Sequence, residues 1–319
     1  MKILVTGCNG QLGNEMQLLE KENPQHTYFN TDVATLDLQG RLPQQELDIT
    51  DQQAIEAFVS ENEIDGIVNC AAFTAVDKAE DHQEFCHLLN ATAPEYLARA
   101  VERRKGWMIQ ISTDYVFDGT NHRPYVETDK VCPNSTYGRT KLAGEQAVVD
   151  NCTRSMIIRT AWLYSTFGNN FVKTMIRLGK EKESFGVVFD QVGSPTYAAD
   201  LAQAIYVIIE DDEWHGGIYH FTDEGVCSWF DFTHEIHALY NAQVMLRGYQ
   251  AGQAEAEYNA ADELIKAVVH PIRSEEYQYR TPRPAYSVLD KAKIKKTFGV
   301  EIPHWRDSLA RCIATLSTK

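Results

Sequence analysis

Short apolar runs alternate with amphipathic stretches through the first half of the chain. The runs rich in β-branched and aromatic residues predict buried strands at 2–6, 27–31, 66–70, 107–112 and 156–160. Apolar positions three and four apart predict helices at 11–20, 51–60, 84–104 and 137–149. Strands that alternate with helices form βαβ units and a parallel sheet. We therefore predict an α/β fold built on a doubly wound parallel sheet.

The pattern becomes less regular after about residue 165. Helices are predicted at 171–180 and 200–210, and two prolines keep 280–284 extended. Residues 241–268 could form helix, strand or loop. We predict a first domain over residues 1–165, to which later segments return, and a smaller, discontinuous part over 166–319.

Composition narrows the class of protein. The 319 residues, 44% of them hydrophobic, suffice for one large or two modest domains. A formal net charge of −15 argues against a broad nucleic-acid footprint. No apolar run approaches the ~18–20 residues that span a membrane, and no signal peptide precedes the first strand. The seven cysteines, including Cys8, Cys70 and Cys86, lack metal-ligand spacing, so we expect reduced, mostly structural thiols in a cytoplasmic protein.

Three glycines, Gly7, Gly10 and Gly13, follow the first strand and open the first helix. Glycine allows a tight turn and a close approach of the backbone to a pyrophosphate, and the helix N-terminus supplies free N–H groups. The spacing differs from the commoner Gly-x-Gly-x-x-Gly, and a plain tight turn is the alternative. The position after strand one favours a dinucleotide site of the Rossmann type.

Two acidic positions suit the adenosine half of a dinucleotide. Asp32 ends the second strand, where a carboxylate can accept hydrogen bonds from a ribose; an ordinary turn aspartate is the alternative. Asp48 and Ile49 follow a strand-like stretch at 44–47 and suit the amino group and the face of adenine. A carboxylate at position 32 repels a 2′-phosphate, although Arg41 could fold back, so we expect NADH to be accepted at least as well as NADPH.

Tyr137 and Lys141 lie four residues apart on a predicted helix, so their side chains share one face. An ammonium beside a phenol favours the phenolate, which eases release of the proton that a carbonyl reduction needs. Thr113 ends the preceding strand, at the sheet edge where ligands bind, and its hydroxyl could bond the reacting carbonyl oxygen. The alternatives are a surface tyrosine above a solvated lysine and a turn or cap at 112–115.

Further segments extend these motifs along the chain: NCAAFTAVDKAE at 69–80, STDYVFDG at 112–119, YGRTKLAGE at 137–145, RTAWLY at 159–164, GNNFVKTM at 168–175, DQVGSPT at 190–196 and RP at 283–284. Together they resemble the extended short-chain dehydrogenase/reductase family. The resemblance covers nearly the whole chain except 241–268. Within the family, the motifs are most similar to those of the reductases that form dTDP-L-rhamnose.

The resemblance implies a role for each matching position. The implied cofactor contacts are Gly7, Gly10, Gln11, Leu12, Gly13, Asp32, Asp48, Ile49, Ala72, Phe73, Thr74, Ile111, Tyr137 and Lys141. The implied catalytic set is Thr113, Tyr137 and Lys141. The implied substrate contacts are Val76, Thr113, Asp114, Tyr115 and Trp162. Phe73 departs from the family, which often has histidine there.

The implied activity is the NADH- or NADPH-dependent reduction of the C4 ketone of dTDP-4-dehydro-β-L-rhamnose to dTDP-L-rhamnose. Residues 1–165 would bind NAD(P) and 166–319 mainly the nucleotide sugar, with no nucleic acid or membrane as partner. Some members form a metal-bridged dimer, but we find no matching acidic cluster, so we expect no metal and either a monomer or a homodimer. Two alternatives are a non-enzymatic regulatory subunit like the methionine adenosyltransferase β subunit, and a reductase or epimerase of another nucleotide-linked 4-keto sugar.

Overall fold

The computed structural model describes residues 1–35, 44–251 and 263–317. The strands are β1 (Lys2–Thr6), β2 (Thr27–Asp32), β3 (Gln44–Glu46), β4 (Gly66–Asn69), β5 (Trp107–Thr113), β6 (Ser155–Thr160), β7 (Leu163–Tyr164), β8 (Ser184–Val188), β9 (Val192–Gly193), β10 (Thr196–Tyr197), β11 (Gly217–His220), β12 (Cys227–Ser228) and β13 (Val268–Ile272). The helices are α1 (Gln11–Glu22), α2 (Gln52–Glu61), α3 (Val76–Ala79), α4 (Gln83–His87), α5 (Ala93–Arg103), α6 (Thr136–Asn151), α7 (Phe171–Glu181), α8 (Ala198–Ile209), α9 (Trp229–Ala251), α10 (Ala292–Phe298) and α11 (Trp305–Ser317).

Seven of the described strands form one parallel sheet in the order β3-β2-β1-β4-β5-β6-β11. The chain moves outward from β1 to β3 and then returns to β4 on the other side of β1. Ligands bind at the carboxyl edge of such sheets, beside the point where the strand order reverses. The predicted Rossmann-type, doubly wound sheet is confirmed, and it brings the loops after β1, β4 and β5 to one edge.

Both faces of the sheet are covered because the side chains of each strand alternate between them. Ile3 and Val5 of β1 pack in one apolar cluster with Leu201 of α8. Leu4, between them, packs in a second cluster with Leu97 of α5 and Val148 of α6. A strand buried on both faces has no polar side to show, which explains the continuous apolar runs in the sequence.

The stretch predicted as one helix over 84–104 is divided into three pieces. It comprises α4, a π-helical turn at Leu88–Thr92, and α5. A π-helical turn changes the direction of the side chains that follow the regular α-helix. The π-helical turn contains Asn90, whose side chain reaches the loop after β4.

The later half of the chain contributes to the sheet and also builds a core of its own. β11 pairs with β6 at the edge of the central sheet. A third apolar cluster joins Val172 of α7, Ile236 of α9 and Leu309 of α11. The stretch 241–268 contains the end of α9 and the start of β13, and 252–262 lie outside the described residues. The division at residue 165 stays a prediction.

A membrane-spanning helix and a cluster of metal-binding side chains are both absent from the described residues. No helix there combines the length and the apolar character that crossing a membrane requires. The same residues contain no group of three or more His, Cys, Asp or Glu side chains placed to hold a metal ion.

Candidate active site

The glycine turn between β1 and α1 has no room for side chains. Gly7 has a φ of +64°, which favours glycine. A Cβ on Gly7 would lie 2.6 Å from backbone after β4, and one on Gly13 would lie 2.4 Å from the Gly7 carbonyl oxygen. No side chain in the described part of the chain caps α1 at Gly10, so the N–H groups at Gln11 and Leu12 remain available to an anion. The turn fits the pyrophosphate of a dinucleotide.

Asp32 lies at the end of β2 and faces the glycine turn. Its Oδ2 accepts a hydrogen bond from the Asn9 N–H at 3.0 Å, and its Oδ1 accepts one from the Val33 N–H at 2.8 Å. These bonds orient the carboxylate, and each oxygen keeps a lone pair for a further donor such as a ribose hydroxyl.

Asp48 and Ile49 follow β3 and differ in exposure. Asp48 is exposed, and its Oδ1 accepts hydrogen bonds from the N–H and the hydroxyl of Thr50, each at 2.8 Å. Ile49 is only 3% exposed and belongs to the same apolar cluster as Ile55 of α2. Asp48 can therefore meet a ligand directly, whereas Ile49 offers little free surface.

The loop Ala72, Phe73, Thr74 follows β4 at the same edge of the sheet as the glycine turn. The Phe73 N–H donates to Asn90 Oδ1 at 2.8 Å, and Asn90 Nδ2 donates back to the Phe73 carbonyl at 3.1 Å. The Phe73 ring meets Phe85 edge to face, with centroids 6.1 Å apart. One buried amide thus fixes the backbone of this loop.

Helix α6 brings Tyr137 and Lys141 against the end of β5. The Ser135 hydroxyl caps the helix by accepting from the Gly138 N–H at 3.0 Å. Lys141 is buried, and its Nζ donates to the Ile111 carbonyl oxygen at 2.6 Å. The predicted helix is confirmed, and its two side chains face the same strand.

Thr113 connects this helix to the turn after β5. Its Oγ1 donates to Asp114 Oδ1 at 2.9 Å and accepts from the Tyr115 N–H at 3.2 Å, so it caps a short 3₁₀ turn. The Thr113 side chain also lies beside the Tyr137 phenol and acts to lower its pKa. The cap that the sequence also allowed at 112–115 is present, and the role of the Thr113 hydroxyl toward a carbonyl oxygen stays a prediction.

The electrostatics of the pair differ from the sequence-based expectation. Burial raises the pKa of Tyr137 above its usual value; the neighbouring Thr113 side chain opposes this and the Asp114 charge adds to it. Burial also lowers the pKa of Lys141 to about 8. The net shift is opposite to the expected easier release of the proton, because desolvation outweighs the nearby charges at both groups and the Lys141 ammonium bonds the Ile111 carbonyl. The phenol therefore keeps its proton at neutral pH.

Three side chains, those of Tyr115, Arg283 and Asp77, form a hydrogen-bonded row beside the Tyr137 phenol and the buried Asp114. Burial raises the pKa of Asp114 to about 7. The Tyr115 ring meets the ring of Tyr137 edge to face at 5.4 Å, and its hydroxyl oxygen accepts from Arg283 Nη1 at 3.2 Å. Arg283 Nη2 also donates to Asp77 at 2.7 Å, in the short helix α3 that begins at Val76. These hydrogen bonds hold α3 to the segment that precedes α10.

Trp162 follows β6 by two residues, at the carboxyl edge of the sheet. It has a φ of +50°, which is rare for a bulky residue and often marks a functional position. The indole stacks on Trp229 with centroids 3.5 Å apart. A Cβ on Gly193 would lie 2.8 Å from the indole and 2.6 Å from Ser287 Oγ, so glycine permits the close packing.

Comparison with known proteins assigns the fold to a family. The family model described as the RmlD substrate binding domain matches residues 1–318. The chain belongs to this family. It is 37% identical to the dTDP-4-dehydrorhamnose reductase of Escherichia coli (strain K12) over 100% of this chain and 99% of that one. It is 41% identical, with a TM-score of 0.85, to the dTDP-4-dehydrorhamnose reductase structure from Clostridium acetobutylicum, which covers 99% of both chains.

A third relative bears on the cofactor. The structure of dTDP-4-dehydrorhamnose reductase from Bacillus anthracis str. Ames in complex with NADP is 35% identical, has a TM-score of 0.82, and covers 98% of this chain and 99% of that one. In this chain, the glycine turn and the Tyr137–Lys141 pair lie at one edge of the sheet.

Residues that hold the candidate site escaped the sequence reasoning. Asn90 was one polar residue in a helical stretch, and no spacing links it to Phe73. Glu145 lies four residues beyond Lys141, and this spacing alone indicates that it shares the helical face of Tyr137 and Lys141. Arg283 belongs to the RP motif at 283–284, but it lies 168 residues from its partner Tyr115, so no local pattern predicts their contact.

Proposed function

We propose that this protein reduces the C4 ketone of dTDP-4-dehydro-β-L-rhamnose to dTDP-L-rhamnose with NADPH or NADH. The observation that supports this most is that Thr113, Tyr137 and Lys141 meet at the carboxyl edge of the sheet, close to a glycine turn that fits a pyrophosphate. Full-length similarity to reductases with that name narrows the substrate class.

The cofactor site runs along the carboxyl edge. The turn Gly7 to Gly13 would hold the pyrophosphate with backbone N–H groups, and Asp32 would accept from the adenosine ribose. Asp48 would meet the adenine, and the 72–74 loop would follow the middle of the cofactor. When bound, the reduced nicotinamide supplies the hydride for the ketone.

The protein's own contribution is to hold and supply a proton. Tyr137 donates to the oxygen as it becomes an alkoxide, since its raised pKa keeps the phenol protonated. The Thr113 hydroxyl bonds the same oxygen and stabilises charge there. Lys141, where it is protonated, compensates the negative charge left on Tyr137 and holds the nicotinamide ribose.

The substrate would lie between Val76, Asp114, Tyr115 and Trp162. The indole of Trp162 offers an apolar face to a deoxy-sugar, although its other face is taken by Trp229. Asp114 is 4% exposed, with Oδ2 lacking a hydrogen-bond partner among the described residues, so it can bond a sugar hydroxyl.

The test is turnover of nucleotide-linked 4-keto sugars by wild type and by Tyr137→Phe. We expect oxidation of NADPH or NADH with the dTDP-linked substrate, and a ~100- to 10,000-fold lower kcat in the variant, because only the phenolic proton is lost. Cofactor affinity, measured by fluorescence titration, should stay near the wild-type value. Tyr206→Phe, on α8, is the matched control and should retain full activity.

Near-normal turnover by Tyr137→Phe contradicts the role of this residue. Preference for another nucleotide sugar moves the substrate assignment to that sugar. Wild-type protein that binds cofactor and sugar nucleotide but never turns over supports the regulatory-subunit alternative.

A further inference from the structure

One face of α6 carries three polar side chains, four residues apart. Tyr137, Lys141 and Glu145 occupy this face because 3.6 residues make one helical turn. Each meets a residue at the end of β5: Tyr137 lies beside Thr113, Lys141 bonds the Ile111 carbonyl, and Glu145 accepts from the Ser112 hydroxyl. The first two contacts belong to the proposed reaction, and the third has no role in it so far.

Glu145 is also half of a buried ion pair with Arg159 of β6. Arg159 Nε donates to Oε1 at 2.9 Å and Nη2 donates to Oε2 at 2.6 Å, which is the bidentate geometry. The two side chains are 2% and 5% exposed. The guanidinium carbon also lies 5.2 Å from the centroid of the Phe117 ring. Glu145 thus joins α6 to both β5 and β6.

A buried pair of this kind is a weak source of stability. Removing two charges from water costs several kcal/mol, and apolar residues of similar volume often serve as well or better. Stability alone therefore does not account for an ion pair placed under the candidate site. Glu145 contacts Ser112, the residue directly before Thr113, so the ion pair lies next to the proposed catalytic residues.

The charge of Glu145 acts on Lys141. Burial lowers the pKa of Lys141 to about 8, and Glu145 is the foremost group that opposes this shift. The other titratable groups that face the lysine are the thiols of Cys86, on α4, and Cys70, directly after β4, together with Tyr137 on its own helix. Arg159 faces Glu145 from β6.

We propose that Glu145 is a positioning residue for the reduction: through Ser112 and Arg159 it fixes the helix that carries Tyr137 and Lys141 on the strand that ends in Thr113. Its carboxylate also favours the protonated form of Lys141. This rests on the proposed function for its catalytic half. The protonation of Lys141 can be measured without any substrate, so the role of Glu145 and the proposed function can fail separately.

The decisive variant is Glu145→Gln, which keeps the size and removes the charge. We expect the titration midpoint of the Lys141 Nζ, followed by NMR of lysine-labelled protein, to fall by about half a pH unit or more. The alkaline limb of kcat/KM should move to lower pH by the same amount, and kcat at pH 7 should fall roughly tenfold. Ser112→Ala should lower kcat without moving either midpoint, since it removes the contact and no charge.

The matched control is Glu181→Gln, which removes an exposed partner of Arg177 on α7 and should change neither midpoint nor kcat. A folded Glu145→Gln protein with the wild-type Lys141 midpoint overturns the inference. If the single variant fails to fold, Glu145→Gln with Arg159→Met removes both charges, and the same fall in the Lys141 midpoint is expected. An unchanged midpoint in that double variant overturns the inference equally.

A wild type inactive on every 4-keto sugar refutes the proposed function, while the NMR titration still decides whether Glu145 controls Lys141.

Discussion

At the scale of single residues, Asp32 sets the expected cofactor preference. Its carboxylate lies at the end of β2 and is held by the N–H groups of Asn9 and Val33. NADPH would bring a 2′-phosphate to this place, and like charges repel. Arg41, the cation that could fold back, lies outside the described residues. We expect kcat/KM for NADH to equal or exceed that for NADPH.

Steady-state kinetics with both cofactors measure this preference. Asp32→Asn, which keeps the shape and removes the charge, should raise kcat/KM for NADPH relative to NADH by about tenfold, or ~1.4 kcal/mol. Asp51→Asn at the N-cap of α2 serves as the control for a lost carboxylate. A wild-type preference for NADPH beyond tenfold would refute the role given to Asp32.

At the scale of elements, the crossing of α6 with the π-helical turn Leu88–Thr92 sets the geometry of the site. Gly144 of α6 lies against Asn90, whose side chain holds the Phe73 backbone and also donates to Thr140 of α6 at 3.2 Å. A Cβ at Gly144 would lie 2.0 Å from the Asn90 carbonyl oxygen. The crossing therefore requires glycine, and it couples the 72–74 loop to α6.

Gly144→Ala should destabilise the protein. Alanine gains about 1 kcal/mol of helix propensity over glycine. The clash with a backbone carbonyl forces α6 away from the π-helical turn, and overpacking of this kind typically costs ~1–3 kcal/mol, which at a backbone contact this close exceeds that gain. We expect a net loss of ~1–2 kcal/mol in urea unfolding, together with a higher KM for the cofactor, because the 72–74 loop shifts. Gln146→Ala, exposed on the same helix, should leave both values unchanged. Full stability in Gly144→Ala would show that the crossing can widen freely.

At the scale of the whole molecule, the sequence predicted what local pattern encodes. Strand periodicity and the glycine turn predicted the sheet, and four-residue spacing predicted that Tyr137 and Lys141 share a face. It could not predict contacts between distant segments, such as Arg283 with Tyr115 or Glu145 with Arg159. It also missed how strongly burial shifts the pKa values of Tyr137 and Lys141, because burial depends on everything that packs around a group.

Glu20 is a buried carboxyl outside the candidate site, and it makes the stability of the fold depend on pH. Burial raises its pKa from 4.5 to about 7, and a hydrogen bond from Asn30 opposes the shift. The folded chain therefore binds more protons than the unfolded chain between these two pH values. Stability attributable to this group falls as pH rises from about 4.5 to about 7 and is constant above that.

Glu20→Gln should remove this loss. The shift corresponds to at most ~3 kcal/mol, at ~1.4 kcal/mol per pKa unit. A glutamine can still accept from Asn30, and its amide can donate to Asn30 Oδ1 or to the Tyr28 hydroxyl oxygen, which both lack hydrogen-bond partners in the described part of the chain. We expect the variant to be ~1–3 kcal/mol more stable than wild type at pH 8 and nearly equal to it at pH 5, from urea unfolding at each pH. Glu22→Gln, exposed on the same helix, should show no such pH-dependent difference. An equal gain at both pH values would mean that packing, rather than the titration of Glu20, separates the variant from wild type.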